Sequence, residues 1–526
     1  MNIRSDIVKV YKDVHTWVGI VCGLLLFIGF YAGAITMFEK PLQRWATPPT
    51  ALAAAPPLEE AEKLLAAVRD EQPRPIDRYG IVVDITPEQP ARVTWSLPGK
   101  SEFDRIEYGA SFAPDGSLQT ERLRRAQVAQ LVDRLHQFVG LPLPEHIARP
   151  LMGAVALAYA VALLSGLIVL LPALVRDLFA LRIGPNLKRM WLDVHNALGV
   201  FSLPFHLVIA LTCVVFAFHA PFYLAQSKAF YGGQINWGQP STMPAGGTPM
   251  RAHQLLARVR EQLPGFDVHR FGFEQESIFR QDATVQGLDV RRGTRGSTWM
   301  RTRIDPITGD VDLRGLPGHM DGWSEAVNTF FMLHFGSFGG TPVRWLYALM
   351  GLAGAALFYT GNLLWIESRR KPRRGAETVV QARSARMMGC LTVGVALGSV
   401  AGISATIAAT KWLPVRVADP GFWHEAIYCG VFLAATAWAF VRGAAKGAHE
   451  LLWLCAAATA AIPLVSLMSA WGMVGGWNHP GTVAVDLTAL AAVPVFAWLI
   501  RLTRRRIHHG RADSVWAVRT AQARRP

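Results

Sequence analysis

Cysteine, charge and the signatures of soluble enzymes are all scarce in this chain of 526 residues. Only five cysteines occur (Cys22, Cys213, Cys390, Cys429 and Cys455), and all lie within or beside apolar runs. That distribution excludes a disulfide framework in the polar segments and leaves no cluster for an iron–sulfur centre or a structural zinc. No Cys-x-x-Cys-His occurs, which excludes covalently attached c-type haem. Catalytic-triad, phosphate-loop and metalloprotease patterns are missing, so hydrolases rank low, and no nucleotide or flavin fingerprint is visible. Charged residues make up 17% of the chain, yet the formal net charge is +15. No aromatic-basic recognition motif accompanies that excess, so nucleic acid is not the partner it implies.

Apolar sequence is plentiful: 51% of residues are hydrophobic. Eight runs are of the length a bilayer requires, about 20 residues: 17–38, 151–175, 196–224, 345–366, 387–410, 423–441, 451–471 and 483–502. The basic residues gather beside them, at Arg176 to Arg189, at Arg369-Arg370-Lys371-Pro372-Arg373-Arg374 and at Arg504-Arg505-Arg506. Lys and Arg stay on the cytoplasmic side, which predicts both termini inside and residues 57–120 and 225–320 outside. The first run ends at Glu39-Lys40-Pro41 without a clear cleavage site, so it reads as a retained signal anchor. Each outside segment has the pattern of a small α+β domain. In the first, a helical pattern at 58–65 precedes strand patterns at 81–85 and 92–97 and a turn at Pro114-Asp115-Gly116; in the second, a helical pattern covers 250–259 and Asp305 to Asp310 closes the strands. The expected fold class is a polytopic α-helical membrane protein of about eight transmembrane helices with two small α+β periplasmic domains.

The first 370 or so residues read as a duplication of span, outside domain, span. Asp13-Val14-His15-Thr16-Trp17-Val18-Gly19 returns as Asp193-Val194-His195-Asn196-Ala197-Leu198-Gly199. A further His-x-x-x-Gly stands at His136 and Gly140, and a looser relative at His334 and Gly336. An imidazole at the mouth of a membrane helix is costly without a partner, and a glycine one turn on clears space on the same face. The symmetry pairs His15 with His195 at the inner face and His136 with His334 at the outer face. His206 follows His195 by 11 residues in one apolar run. On a straight helix that is almost three turns, about 16 Å, with both rings facing one way. His206 has no symmetry mate and could replace either member of the outer pair. Neutral imidazole is the usual ligand of b-type haem iron, and a second imidazole opposite makes an electron-transfer site. The arrangement predicts two haem b groups held by His15, His136, His195, His206 and His334. Trp17, Trp191, Trp323 and Trp345 suit an aromatic belt. Asp486 is an intramembrane carboxylate shallow enough to be interfacial, and residues 387–502 carry no other motif.

The His15 to Gly19 stretch, Asp193 to Gly199 leading into Ser202-Leu203-Pro204-Phe205-His206, and Leu333-His334-Phe335-Gly336 leading into Gly351-Leu352 resemble the PepSY-associated transmembrane family of iron-regulated membrane proteins. The resemblance covers about residues 8–372, and its outside domains would be PepSY-like. It implies an inner-membrane reductase of the ferrisiderophore type, with bis-histidine haem b and a ferric siderophore or other periplasmic iron chelate as substrate. The electron donor would be a cytoplasmic protein or a membrane quinol, and lipid the surrounding partner. The family pattern does not require the last four spans. Two other classes compete: a non-enzymatic membrane anchor whose outside domains bind or inhibit a peptidase or sense a ligand, and a transporter of iron chelates or metal. The anchor needs no deeply placed His206. The transporter predicts ionisable groups and broken helices inside the spans.

Overall fold

Long apolar runs with their backbone polar groups satisfied internally fold as helices, the only open-ended structure a bilayer tolerates. The computed structural model describes residues 4–72, 76, 78–97, 106–123, 126–140, 143–174, 182, 186–230, 248–277, 280–289, 291–292, 300–369, 381–413, 417, 419–475, 477–478, 481–510 and 514–517. Among these, six helices are long and apolar enough to cross a membrane: α1 (Ser5–Thr36), α5 (Glu145–Leu170), α10 (Gly340–Ser368), α11 (Arg383–Ala409), α12 (Pro420–Ala470) and α13 (Val483–His509). The basic stretch 370–374, Arg176 and the connection around Val415 lie outside the described residues.

The run expected as one span over 196–224 is instead a bent pair, α6 (Leu187–Phe201) and α7 (Leu203–Phe230), turned by 69° and counting as a seventh span if taken together. Pro204 explains the break: it has no N–H for the preceding turn, and its ring clashes with the carbonyl four residues back, so the helix restarts at Leu203. The straight-helix argument relating His195 to His206 therefore fails. Helix α12 has 51 residues and contains a non-helical Gly443 at φ 75°, ψ 160°, where two helices meet. At 1.5 Å per residue it would run about 76 Å unbroken, more than twice the hydrocarbon thickness.

The chain divides into two compact units. The helical unit comprises Met1–Ala46, Ala126–Pro221 and Trp345–Pro526. In it α1 packs on α5 and on α4 (Val128–Phe138), while α11 packs along α12. The α11–α12 seam is built from glycine. A Cβ at Gly394 would come within 2.7 Å of Thr436 Cα, one at Gly398 within 3.1 Å of the Phe432 carbonyl, and one at Gly402 within 3.0 Å of the Tyr428 ring. Glycine every fourth residue lets two backbones approach closely, where packing rather than hydrophobicity drives association. The short α2 (Glu39–Ala46) buries Leu42 and Trp45 against the same unit.

The second unit comprises Thr47–Arg125 and Phe222–Arg344. It corrects the expectation of two separate small domains. Strands β1 (Arg78–Val82), β2 (Val93–Leu97), β3 (Ile106–Phe112), β4 (Leu118–Arg122), β5 (Asp267–Ser277), β6 (Arg280–Leu288) and β7 (Met300–Arg303) form one sheet ordered β4-β3-β2-β1-β5-β6-β7. Both outside segments contribute, and β1 and β5 join them antiparallel with Gly80 opposite Gly272. Each segment alone would leave its first strand as an unpaired edge, which templates further pairing; edge-to-edge union removes both. The predicted helices appear as α3 (Ala61–Glu71) and α8 (Ala252–Gln262), and their Leu64, Val68, Leu255 and Val259 share one core with Trp95, Phe271 and Val285. The expected turn at Pro114-Asp115-Gly116 joins β3 to β4, with Gly116 at φ 84°. The unit also holds α9 (Gly322–Phe335), capped by Asp321, whose carboxylate accepts the backbone N–H groups of Trp323 and Ser324 at 3.0 Å each. Those bonds, led by the one from Ser324, hold its carboxyl below the usual carboxylate range.

Overpacking the glycine seam is expected to loosen the helical unit. Gly398→Val should lower stability by about 1–3 kcal/mol, seen as a lower unfolding midpoint in detergent. Gly430→Val is the control, since nothing lies within 4 Å of a Cβ there.

Candidate functional site

Each half of the duplication sets one imidazole against the backbone of a facing helix. His15 on α1 has Nδ1 2.8 Å from the carbonyl oxygen of Ala162 on α5. His195 on α6 has Nδ1 3.1 Å from the carbonyl oxygen of Leu357 on α10. His136 on α4 has Nδ1 2.8 Å from the carbonyl oxygen of Gly29 on α1. In all three, a glycine stands four residues beyond the accepting carbonyl: Gly166, Gly361 and Gly33. A Cβ there would come to 2.8 Å from His15 Cε1, 3.3 Å from His195 Cε1 and 2.6 Å from His136 Nδ1.

The recurrence has a physical cause. A helical carbonyl points along the axis toward the residue four positions on, whose N–H it already accepts. Its second lone pair is approached past that residue's Cβ, so glycine opens the way. Because a carbonyl can only accept, a neutral imidazole bonded to it carries its hydrogen on Nδ1 and has a bare lone pair at Nε2. That is the tautomer of a metal-ligating histidine held by an outer hydrogen bond.

The glycines following the histidines in sequence have other duties. A Cβ at Gly19 would meet nothing within 4 Å, and one at Gly199 would meet only Leu357 Cδ1, at 3.6 Å. Gly140 (φ 68°) follows a left-handed Val139 (φ 49°) just past the end of α4, and Gly336 (φ 57°) caps α9. These last two end helices in the left-handed conformation that only glycine adopts without cost.

His15 and His195 come together. Their ring centroids are 6.0 Å apart with the planes at 71°, and their hydrogen bonds within the described residues are at Nδ1. Metal–imidazole bonds are about 2.0–2.1 Å, and a ring nitrogen lies just over ~1 Å from its centroid. Two imidazoles on opposite sides of one metal thus have centroids about 6 Å apart, and this pair fits that requirement.

His206 on α7 is fully buried. Its Nδ1 is 2.6 Å from the Tyr159 hydroxyl of α5, and its ring centroid is 5.4 Å from that of Phe30. Its Nε2 is buried without a hydrogen-bond partner among the described residues, a state that costs about 1–3 kcal/mol for a neutral polar group and that a metal ion would relieve. A Cβ at Gly354 would come to 2.9 Å from His206 Cε1. Gly354 and Gly361 are seven residues apart on α10, two turns or about 10 Å. So His206 and His195 do lie along one helix face, but the face belongs to α10. His136 and His206 both pack around residues 29–33 of α1. His334 lies in the other unit, on α9.

Sequence reasoning missed Tyr159 and the receiving glycines, although Gly-x6-Gly in α10 and a lone tyrosine in α5 were visible signals. It also treated Asp13 and Asp193 alike. Asp13 is exposed, whereas Asp193 is 1% exposed and accepts from the Arg182 guanidinium at 2.8 and 3.0 Å. Nor is residues 387–502 bare of polar chemistry. Lys411, 1% exposed, donates to Asn478 Oδ1 (2.9 Å), the Trp477 carbonyl (3.3 Å) and Ser466 Oγ (3.3 Å), with its ammonium 4.5 Å from the centre of the Trp45 ring. Ser466 donates in turn to Asp486 (2.9 Å), which also accepts from Trp45 Nε1 (3.2 Å). Asp486 is thus part of a buried network and not merely interfacial. All three Lys411 donors are used within the protein, so the cluster fastens α2 to the last helices. No group of three or more His, Cys, Asp or Glu able to hold a metal ion occurs among the described residues.

The class so defined is a multi-pass helical membrane protein whose internal repeat seats imidazoles against glycines of facing helices. The chain belongs to the family described as the PepSY-associated TM region, which matches residues 13–368. No curated protein matches it. All five histidines and Tyr159 fall inside the matched range, and α11 to α13 fall beyond it.

Gly166→Ala and Gly33→Ala should each lower the unfolding midpoint in detergent, by the equivalent of about 1–3 kcal/mol. Gly19→Ala should be neutral or slightly stabilising, as for Gly→Ala in an open helix position. Equal losses for all three would show that imidazole contact does not set the cost.

Proposed function

We propose that this protein is a haem-containing oxidoreductase that carries electrons across the bacterial inner membrane to ferric iron held by a siderophore or similar chelate. In this reading the chain makes eight spans, α12 supplying two, with both termini cytoplasmic and the shared sheet periplasmic. The observation that carries it is the His15–His195 pair: 6.0 Å between centroids, with Nδ1 of each ring bonded to a backbone carbonyl. A structural pair of histidines would also bond its Nδ1 hydrogens but has no need of this spacing.

His15 and His195 would hold one haem b, and His206, with His136 as partner, a second. Haem b bound by two imidazoles supplies a one-electron carrier. The protein's own part is orientation. Ala162 and Leu357 fix the Nδ1–H tautomers, Gly166 and Gly361 let the rings seat, and the apolar wall of Phe30, Phe358 and Tyr159 around His206 excludes water. Siderophores bind Fe(II) far more weakly than Fe(III), so one electron delivered to the chelate releases its metal. The donor would be a membrane quinol or a cytoplasmic protein.

Full-length protein purified in detergent from haem-sufficient cells should give a dithionite-reduced minus oxidised spectrum with a b-type α-band, at about two haems per chain. His195→Ala and His206→Ala should each remove one component and leave the other. Reduced protein in proteoliposomes should reoxidise on addition of a ferric hydroxamate or catecholate. A featureless spectrum would sink the proposal and favour a binding role for the sheet unit.

A further inference from the structure

We propose that Tyr159 is a positioning residue that raises the electron affinity of the His206 site above that of the His15–His195 site, so that electrons pass from the pair to His206. The inference rests on the haem reading above.

Of the candidate ligands in the helical unit, His15, His136 and His195 each set Nδ1 on a backbone carbonyl, those of Ala162, Gly29 and Leu357. His206 sets Nδ1 on a side-chain hydroxyl at 2.6 Å and on no carbonyl among the described residues, whereas at His195 the Leu357 carbonyl (3.1 Å) is nearer than the Thr360 hydroxyl (3.5 Å). Both partners are buried, Tyr159 at 2% exposure and His206 at 0%. The phenol hydrogen can turn toward the His206 carbonyl oxygen, 3.5 Å away and longer than a normal O–H···O bond. In that orientation the Tyr159 oxygen accepts from Nδ1–H, and Nε2, without a partner among the described residues, keeps its lone pair for a metal. The tautomer matches that of the other three, but the acceptor differs. A phenol oxygen accepts less strongly than an amide carbonyl, so it draws less on the Nδ1 hydrogen and leaves the ring a weaker electron donor. Outer hydrogen bonds of this kind tune ligand basicity, and a less basic axial ligand stabilises the oxidised metal less. One electron leaves the site of the pair and one arrives at the His206 site. Nδ1 keeps its hydrogen throughout, so no proton has to move.

The test is a spectroscopic redox titration of purified full-length protein, wild type and variants, with the His206→Ala spectrum identifying which component belongs to that site. In the wild type this component should have the higher midpoint potential. Tyr159→Phe removes the acceptor and should raise that potential further, leaving the other component where it was. Tyr159→Gln offers an amide carbonyl and should move it the opposite way, a reversal that a packing role would not produce. Ser399→Ala, which removes a buried hydroxyl on α11, should move neither. The proposal is overturned if Phe and Gln shift the potential alike, if both components shift together, or if the His206 component is the lower one. A protein without b-type bands fails earlier, on the haem reading itself. Bands that persist in full in His206→Ala overturn the assignment of Tyr159 alone.

Discussion

A helical carbonyl has a lone pair to spare, and an imidazole on a facing helix can reach it readily where the residue four positions on has no Cβ. That arrangement recurs three times in the helical unit. The carbonyls of Ala162, Leu357 and Gly29 receive His15, His195 and His136 past Gly166, Gly361 and Gly33. The arrangement also fixes the tautomer, since an acceptor-only partner demands a hydrogen on Nδ1. The two halves of the repeat show it in the same way, with His15 and His195 each crossing to the helix that closes its own half. Structural symmetry therefore extends beyond the matching local sequence to the receiving backbone, where the sequences of α5 and α10 show little likeness.

The architecture was largely legible in the sequence because its signals are strong and local. Apolar length found the helices of the first half and of 387–502, and the turn residues found Pro114-Asp115-Gly116 and Asp305–Asp310. What escaped was non-local. Nothing in the strand patterns of 81–85 says that this strand pairs with one about 190 residues later, because an edge strand looks alike whether water or another strand covers it. The bend before α7 was readable from Pro204, but apolar content masked it. At the site, the imidazoles could be listed from local pattern and depth. Which glycine and carbonyl each imidazole meets could not, since that is set by which helices pack. The glycines nearest in sequence, Gly19 and Gly199, drew attention that belonged to Gly166 and Gly361.

The C-terminal helices follow a different logic from the repeat. They hold together through a glycine seam at Gly394, Gly398 and Gly402 and through a buried cation whose donors are all satisfied within the protein. Lys411 reaches Trp477 and Asn478, and through Ser466 it is tied to Asp486 and Trp45. Because Trp45 sits in α2, directly after the first span, the network links the start of the chain to its last spans. Removing Lys411 would leave the Trp477 carbonyl and Asn478 Oδ1 without the donor that the ammonium supplies. A transporter pathway would need some of these groups open to a solute.

The join between β1 and β5 bears on how such a chain arose. Each is the first strand after the helix of its segment, and they pair antiparallel about Gly80 and Gly272. Antiparallel pairing of equivalent strands is what a two-fold axis between identical subunits produces. A half-length ancestor, with one helix pair and one half-sheet, would therefore have completed its sheet with a second copy of itself. It would also have supplied His15-like imidazoles from both copies. In the present chain, linkage of the halves has released them from identity, so that one can carry a deeply buried histidine, His206, at a position where the other carries Leu26.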